Sequence, residues 1–292
     1  MNCFVTKITD SIQNDATHNP MLHKVNEVVI DTSPNASGSC TRCFLIRGDK
    51  KGDVYMDVVG NGTIAGETHH EHMANKDTAV TLDVINAPVY VKVGDIDKVT
   101  YVTFNGSTLF NNFNFEFIAE SFPNVKTITY QDTNQQLINN ISSLSNLVNL
   151  TSLTISGDNV SGNISSLSNL VNLTTLNVSR TNITGDISSL SKLTNLTELN
   201  VAHIGITGDI KTLAKLTQLT SLNTSNCALS GTIESLANEI AKAKVAHVLK
   251  IWTNGAGEKK CTITYNGNKA VKRIWTITFA ADGTYTVENT DS

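Results

Sequence analysis

The sequence predicts a mixed α/β chain. A repeat solenoid with a parallel β-sheet stands between an N-terminal β-rich domain and a small C-terminal antiparallel β cap. Three observations predict this. From Asn140 to Gly231 the chain repeats every 23 residues, four times without a gap. A unit of that length cannot bury its own apolar face and has to stack on its neighbours. Before the array, short runs rich in valine and isoleucine alternate with Gly- and Asn-containing turns. After it, aromatic-bearing runs are separated by Asn-Gly and Asp-Gly pairs, the turn chemistry of hairpins. The expected divisions are an arm at 1–24, an anchoring domain at 25–116, the solenoid at 117–247 and the cap at 248–292.

Taken in order, the arm has weak periodicity. The β-rich domain offers strands at Val28–Asp31, Cys43–Arg47, Val54–Val59, Ala79–Ile85, Val89–Val93 and Val99–Phe104. Gly48-Asp49-Lys50-Lys51-Gly52 and Gly60-Asn61-Gly62 are expected to turn the chain between them. Arg47-Gly48-Asp49 spells an adhesion tripeptide, which this turn setting explains without a receptor. Cys40 and Cys43, with His69, His70 and His72, are the weak metal candidates. One C-x-x-C without a second falls short of zinc spacing, so no metal and no cofactor is expected. Phe110, Phe113, Phe115 and Phe117 form an aromatic run expected to seal the open end of the solenoid.

The four units are NISSLSNLVNLTSLTISGDNVSG, NISSLSNLVNLTTLNVSRTNITG, DISSLSKLTNLTELNVAHIGITG and DIKTLAKLTQLTSLNTSNCALSG. Their apolar positions read L-x-x-L-x-x-L-x-x-L-x-L, which resembles the leucine-rich repeat family. Period-two alternation makes Leu153/Ile155, Leu176/Val178, Leu199/Val201 and Leu222/Thr224 short strands with these residues inward. The family places a polar turn residue next, and Asp158, Thr181, Ile204 and Cys227 occupy that slot. Ile204 breaks the polar series, so an irregular turn is expected there. The unit ends (V-S-G-N-I, I-T-G-D-I, L-S-G-T-I) resemble the L-x-G-x-I joint of plant-type repeats. That joint implies a second short strand, with Gly162, Gly185, Gly208 and Gly231 at a tight bend. Weaker units flank the array, one with Phe122, Val125, Ile128 and Tyr130, the other with Leu249 and Ile251 in the strand slot. Ser235–Val245 reads as a short helix. The cap is expected to use Val248–Thr253, Cys261–Tyr265, Ile274–Ala280 and Thr284–Glu288, with turns at Asn266-Gly267 and Asp282-Gly283.

The resemblance implies that function sits on the concave sheet face. The outward positions there are Ser152, Thr154 and Ser156, then Thr175, Asn177 and Ser179, then Glu198, Asn200 and Ala202, then Ser221, Asn223 and Ser225. The candidate binding residues are Thr154, Ser156, Thr175, Asn177, Ser179, Glu198, Asn200, Ser221, Asn223 and Ser225. The array holds eight Asp, Glu, Lys or Arg residues and no Phe, Tyr or Trp. Nucleic-acid binding calls for cations and stacking rings, so it is not expected, and sugar platforms are missing too. No triad, phosphate loop or paired carboxylates stand out, so no enzyme activity is expected. The N-x-S/T triplets recur with the repeat, as a structural polar ladder would.

Net charge is −4 over 292 residues. The first residues carry no apolar core of signal-peptide length, and no apolar run is long enough to span a membrane. The Ser/Thr/Asn-rich units and the T-I-T-Y-N-G to W-T-I-T-F-A-A-D-G-T-Y-T-V cap resemble leucine-rich proteins of gut Bacteroidetes and virion proteins of crAss-like phages. That likeness implies a capsid decoration or head-fibre subunit, made in the host cytoplasm and placed in the virion. Its implied partners are other capsid or fibre subunits in an oligomeric assembly. The alternative is a bacterial leucine-rich protein in the cytoplasm that binds a protein or glycan.

Overall fold

The computed structural model describes residues 27–31, 38–49, 55–60, 63–64, 80–84, 89–94, 96–105, 114–131, 138–232, 235–236, 239–240, 247–252, 258–265, 275–279 and 285–289. The chain forms two compact units, Met1–Asn139 and Asn140–Ser292. The arm at 1–24 lies outside the described residues, as do Phe110 and Phe113.

In the first unit, Val89–Gly94 is the centre of a three-stranded antiparallel sheet with Glu27–Asp31 and Tyr55–Gly60 on its flanks. A second sheet runs Thr127–Gln131, Tyr101–Asn105, Gly38–Arg47, Val80–Val84 and Thr63–Ile64. Its first pair is parallel and the others antiparallel. The sequence placed most of these strands but not their partners. Gly48–Gly52 does not close a hairpin, because Gly38–Arg47 and Tyr55–Gly60 belong to different sheets. The strand ending at Gly60 and the one starting at Thr63 are divided in the same way. Asp49 instead accepts a hydrogen bond from Thr100 Oγ1 at 2.8 Å and forms an ion pair with Lys126.

Phe115 and Phe117 sit on a helix, Phe115–Ser121, whose first turn is capped by Asn114 Oδ1 accepting from Phe117 N at 2.8 Å. Tyr130 stacks on Phe104 at 4.9 Å and meets the edge of Phe115 at 4.8 Å. The buried Asn139 is bonded at both ends of its amide. Its Nδ2 donates to Tyr130 Oη and its Oδ1 accepts from Phe115 N, each at 2.8 Å. Ile128 and Tyr130 are buried and alternate with half-exposed neighbours along their strand, as the weak leading unit predicts.

In the second unit, Ser152–Ser156, Thr175–Asn177, Glu198–Asn200 and Ser221–Asn223 form a parallel sheet. Leu153, Leu176, Leu199 and Leu222 stand in one register row, each at most 1% exposed. The geometry is that of a leucine-rich repeat solenoid. The joints form a second parallel sheet from Val160–Asn163, Asn182–Asp186 and Gly205–Thr207. The fourth joint adds only a bridge from Asp209 to Ser230.

The sequence reading missed the short 3-10 helices between the sheets: Ile141–Leu144, Ile164–Leu167, Ile187–Lys192 and Ile210–Lys215. Each starts at an Asn or Asp whose side chain accepts the backbone N–H two residues on, from Asn140, Asn163, Asp186 and Asp209. Hydrogen bonds at Ser188 hold the Asp186 carboxyl below the usual aspartate range, and those at Lys211 do the same for Asp209. A carboxylate depressed on folding contributes stability that is present above its unfolded pKa. That contribution is lost as pH falls through the folded value. Replacing both by asparagine, the residue the first two units use, should keep the caps and flatten acid destabilisation below about pH 4. Thermal melts of the double variant between pH 6 and 2 that track the wild type would refute this role.

The turn after each strand differs in part from expectation. Thr181 is buried and donates to Val178 O at 2.8 Å. Asp158 is exposed, and its backbone carbonyl accepts from the Asn182 side chain. Ile204 does not make the turn irregular. His203 N reaches Ser225 O at 2.8 Å, matching Arg180 N to Ala202 O at 3.0 Å one coil earlier. The backbone ladder between the coils runs through that turn without a break, and Ile204, 5% exposed, packs inward.

Cys227 is half-buried. Its Sγ donates to Val201 O at 2.8 Å. Burial pushes the thiol pKa up, against the backbone amides of Ile204 and His203 that favour the thiolate. A thiolate is the reactive species, so a disulfide-exchange reagent should label Cys227 far more slowly in the folded protein than after denaturation. Equal rates would reject the turn role.

Beyond the array, Leu236 and Ile240 are helical and buried. The cap then departs from expectation twice. His247–Trp252 pairs in parallel with Ser221–Asn223, but Leu222 faces Ile251, so the slot expected for Leu249 and Ile251 is shifted by two residues. Glu258–Tyr265 and Trp275–Phe279 are parallel neighbours. Asn266-Gly267 therefore does not join them as a hairpin, and the cap is mixed rather than antiparallel. The pairs His247–Trp252 with Glu258–Tyr265, and Trp275–Phe279 with Tyr285–Asn289, are antiparallel.

Candidate functional site

The outward face of the array's sheet is built by strand alternation. Leucines point in, and the residues between them form columns that cross the coils. Thr154, Thr175, Asn177, Glu198, Asn200, Ser221 and Asn223 line an open groove of about 300 Å³ on this face. Seven of the ten expected binding residues are thus brought together. Ser156, Ser179 and Ser225 do not line the groove, and Ala202 is buried at 3% exposure.

The asparagines have a second role that alternation could not reveal. Asn177 Oδ1 accepts from Ser179 N at 3.2 Å and from Ser179 Oγ at 2.8 Å. Asn200 Oδ1 accepts from Ala202 N at 3.2 Å, and Asn223 Oδ1 from Ser225 N at 3.1 Å. Each side chain closes the turn that ends its strand. The signal was present as an Asn at the same phase in three coils, two residues before a small residue. With Oδ1 turned to the backbone of its own turn, each of these residues has its amide donors left for the groove.

Other polar ladders are structural. Thr174, Thr197 and Thr220 donate to the carbonyls of Thr151, Thr174 and Thr197 at 2.9, 3.0 and 3.1 Å. Asn172 and Asn195 donate to Val148 O and Val171 O, each at 2.9 Å. These asparagines head N-x-T triplets, and their amides hold the solenoid together as the repeat phase implied. Arg180, His203 and Asn226 hold the same left-handed turn position at φ 56–59°. The His203 ring lies 3.0 Å from Asn226 Nδ2 through Nδ1.

Cys40 and Cys43 fall on the strand Gly38–Arg47, with an irregular register between Cys40 and Phe44. Their side chains, and His69, His70 and His72, lie outside the described residues. Among the described residues no group of His, Cys, Asp and Glu is placed to hold a metal, and no helix is long and apolar enough to cross a membrane.

No protein-family model matches the sequence, and no curated protein matches it. Among solved structures the chain is similar to the leucine-rich repeat ectodomain of the receptor kinase SOBIR1 from Arabidopsis thaliana. The identity is 22% over 42% of this chain and 66% of that one, with a TM-score of 0.34. It is similar to internalin C2 from Listeria monocytogenes at 18% identity over 50% of this chain and 79% of that one, TM-score 0.31. It is also similar to the Arabidopsis receptor kinase HAESA, solved with the peptide hormone IDA and the co-receptor SERK1. There the identity is 25% over 48% of this chain and 22% of that one, TM-score 0.38. The parallel register of the strands and the buried leucine row carry the solenoid fold.

Proposed function

We propose that the chain is a non-enzymatic protein-binding subunit whose repeat face docks a partner protein. We further infer a bacteriophage virion setting, as a capsid decoration or head-fibre subunit anchored through its N-terminal region. The groove carries the binding reading. It is open, rimmed by polar side chains over a floor that includes Leu176 and Leu199, and aligned across four coils, and nothing in it supplies the enclosed, convergent groups that chemistry requires. Thr175 and Ser221 make no side-chain hydrogen bond within the protein among the described residues. Their replacement by arginine therefore blocks the groove without removing a structural bond. The virion setting is supported by the style of the repeats and cap.

Deleting residues 1–24 should abolish incorporation into purified particles while circular dichroism shows the repeats intact. Normal incorporation of the truncated chain would sink the anchor and favour a free-standing binding module. In particles, Thr175→Arg with Ser221→Arg should leave the fold unchanged but weaken retention. Unchanged retention would remove the groove from the partner contact.

A further inference from the structure

The four coils are nearly uniform on the groove side until the third. The column that starts each strand reads Ser152, Thr175, Glu198 and Ser221. Glu198 is therefore the single charge among three hydroxyls, in register with Thr175 on one side and Ser221 on the other. It is exposed, lines the groove and has no ion pair among the described residues. No Lys, Arg or His lines the groove. A carboxylate in this position attracts a cation and repels an anion. Beside it lie the amide donors of Asn177, Asn200 and Asn223, whose Oδ1 atoms accept from the backbone of their own turns. Such donors suit peptide carbonyl oxygens, which accept and cannot donate.

We propose that the groove takes an extended peptide segment of the partner, with a lysine or arginine seated over Glu198 and backbone carbonyls on the asparagine amides. This deepens the binding reading and rests on it. Four strands about 4.8 Å apart span roughly 14 Å, the length of about four extended residues, so one basic side chain per segment is what the groove has room to read. The third coil then supplies specificity, and the flanking coils supply general adhesion.

The test is selection from a phage-displayed library of random dodecapeptides on the immobilised full chain, counter-selected on the Thr175→Arg/Ser221→Arg variant. Peptides kept by the wild type should be enriched in one Lys or Arg. Selection on Glu198→Lys should enrich Asp or Glu at that place. A synthetic peptide from the first pool should bind Glu198→Gln about two- to fivefold more weakly, as an exposed ion pair allows. It should also lose most of its salt dependence on that variant. Selected peptides with no basic preference, or equal binding to Glu198→Gln, would overturn the specificity proposal and leave the groove as a binding face. Failure to obtain any peptide that distinguishes the wild type from the blocked variant would overturn both.

Discussion

Leu176→Ala should destabilise the protein by about 2–5 kcal/mol, the range for a buried leucine truncated in a packed core. Leu176 is fully buried in the register row between Leu153 and Leu199. The cavity has no easy collapse, because the strands on both sides are held by backbone ladders. Stability in a stacked array depends on each coil's contact with the next, so the loss at Leu176 should spread to both neighbours. Urea unfolding followed by circular dichroism measures it. The control is Val171→Ala in the same coil. Val171 is 46% exposed and its truncation should stay within about 0.5 kcal/mol. Equal effects of the two variants would mean that the leucine row is not the core.

Gly185→Ala should cost about 2–4 kcal/mol, from backbone strain of about 1–3 and loss of a cap worth about 1. Gly185 has φ +118°, which side-chain-bearing residues rarely adopt, and a Cβ there would stand 2.5 Å from Asn163 Oδ1. That oxygen accepts from Ser165 N at 3.0 Å to start the 3-10 helix of the same coil. Alanine would have to displace the cap as well as strain the turn. Asn163→Gly clears the space but leaves the strain, so the double variant should be less damaged than the sum of the singles, by up to about 1 kcal/mol. Strict additivity would show that the two residues do not interlock. Gly162, Gly208 and Gly231 meet Asn140, Asp186 and Asp209 in the same way, at 2.6, 2.4 and 2.7 Å.

The array was legible in the sequence because its 23-residue period fixes the register: once Leu153 is inward, Leu176, Leu199 and Leu222 follow. Past Gly231 the period ends. From Leu222 to its partner Ile251 is 29 residues, with a helix between, so no repeat length sets the pairing. A slide by two residues also keeps Leu249 and Ile251 on the same face, and hydrophobic alternation cannot detect it. The cap's parallel pair was misread for a related reason. An Asn-Gly pair in a sequence signals only a local turn, whereas the choice of sheet neighbour is made by distant residues. In the groove, alternation placed the columns correctly but said nothing of the turns that Asn177, Asn200 and Asn223 close. The 3-10 helices were signalled by an Asn or Asp before Ile-x-x-Leu at each unit start, a capping pattern that the leucine spacing overshadowed.

The joint between glycine and capping residue is the same fitting at each coil, which makes copy number a free variable. Residues 140–151 and 163–174 are identical, NISSLSNLVNLT in both. A gain or loss of one whole coil would preserve every interlock on either side of it. Each such event lengthens or shortens the binding face by one strand spacing, about 4.8 Å. A lineage carrying this chain can therefore adjust its reach along a partner in discrete steps, without inventing a new contact.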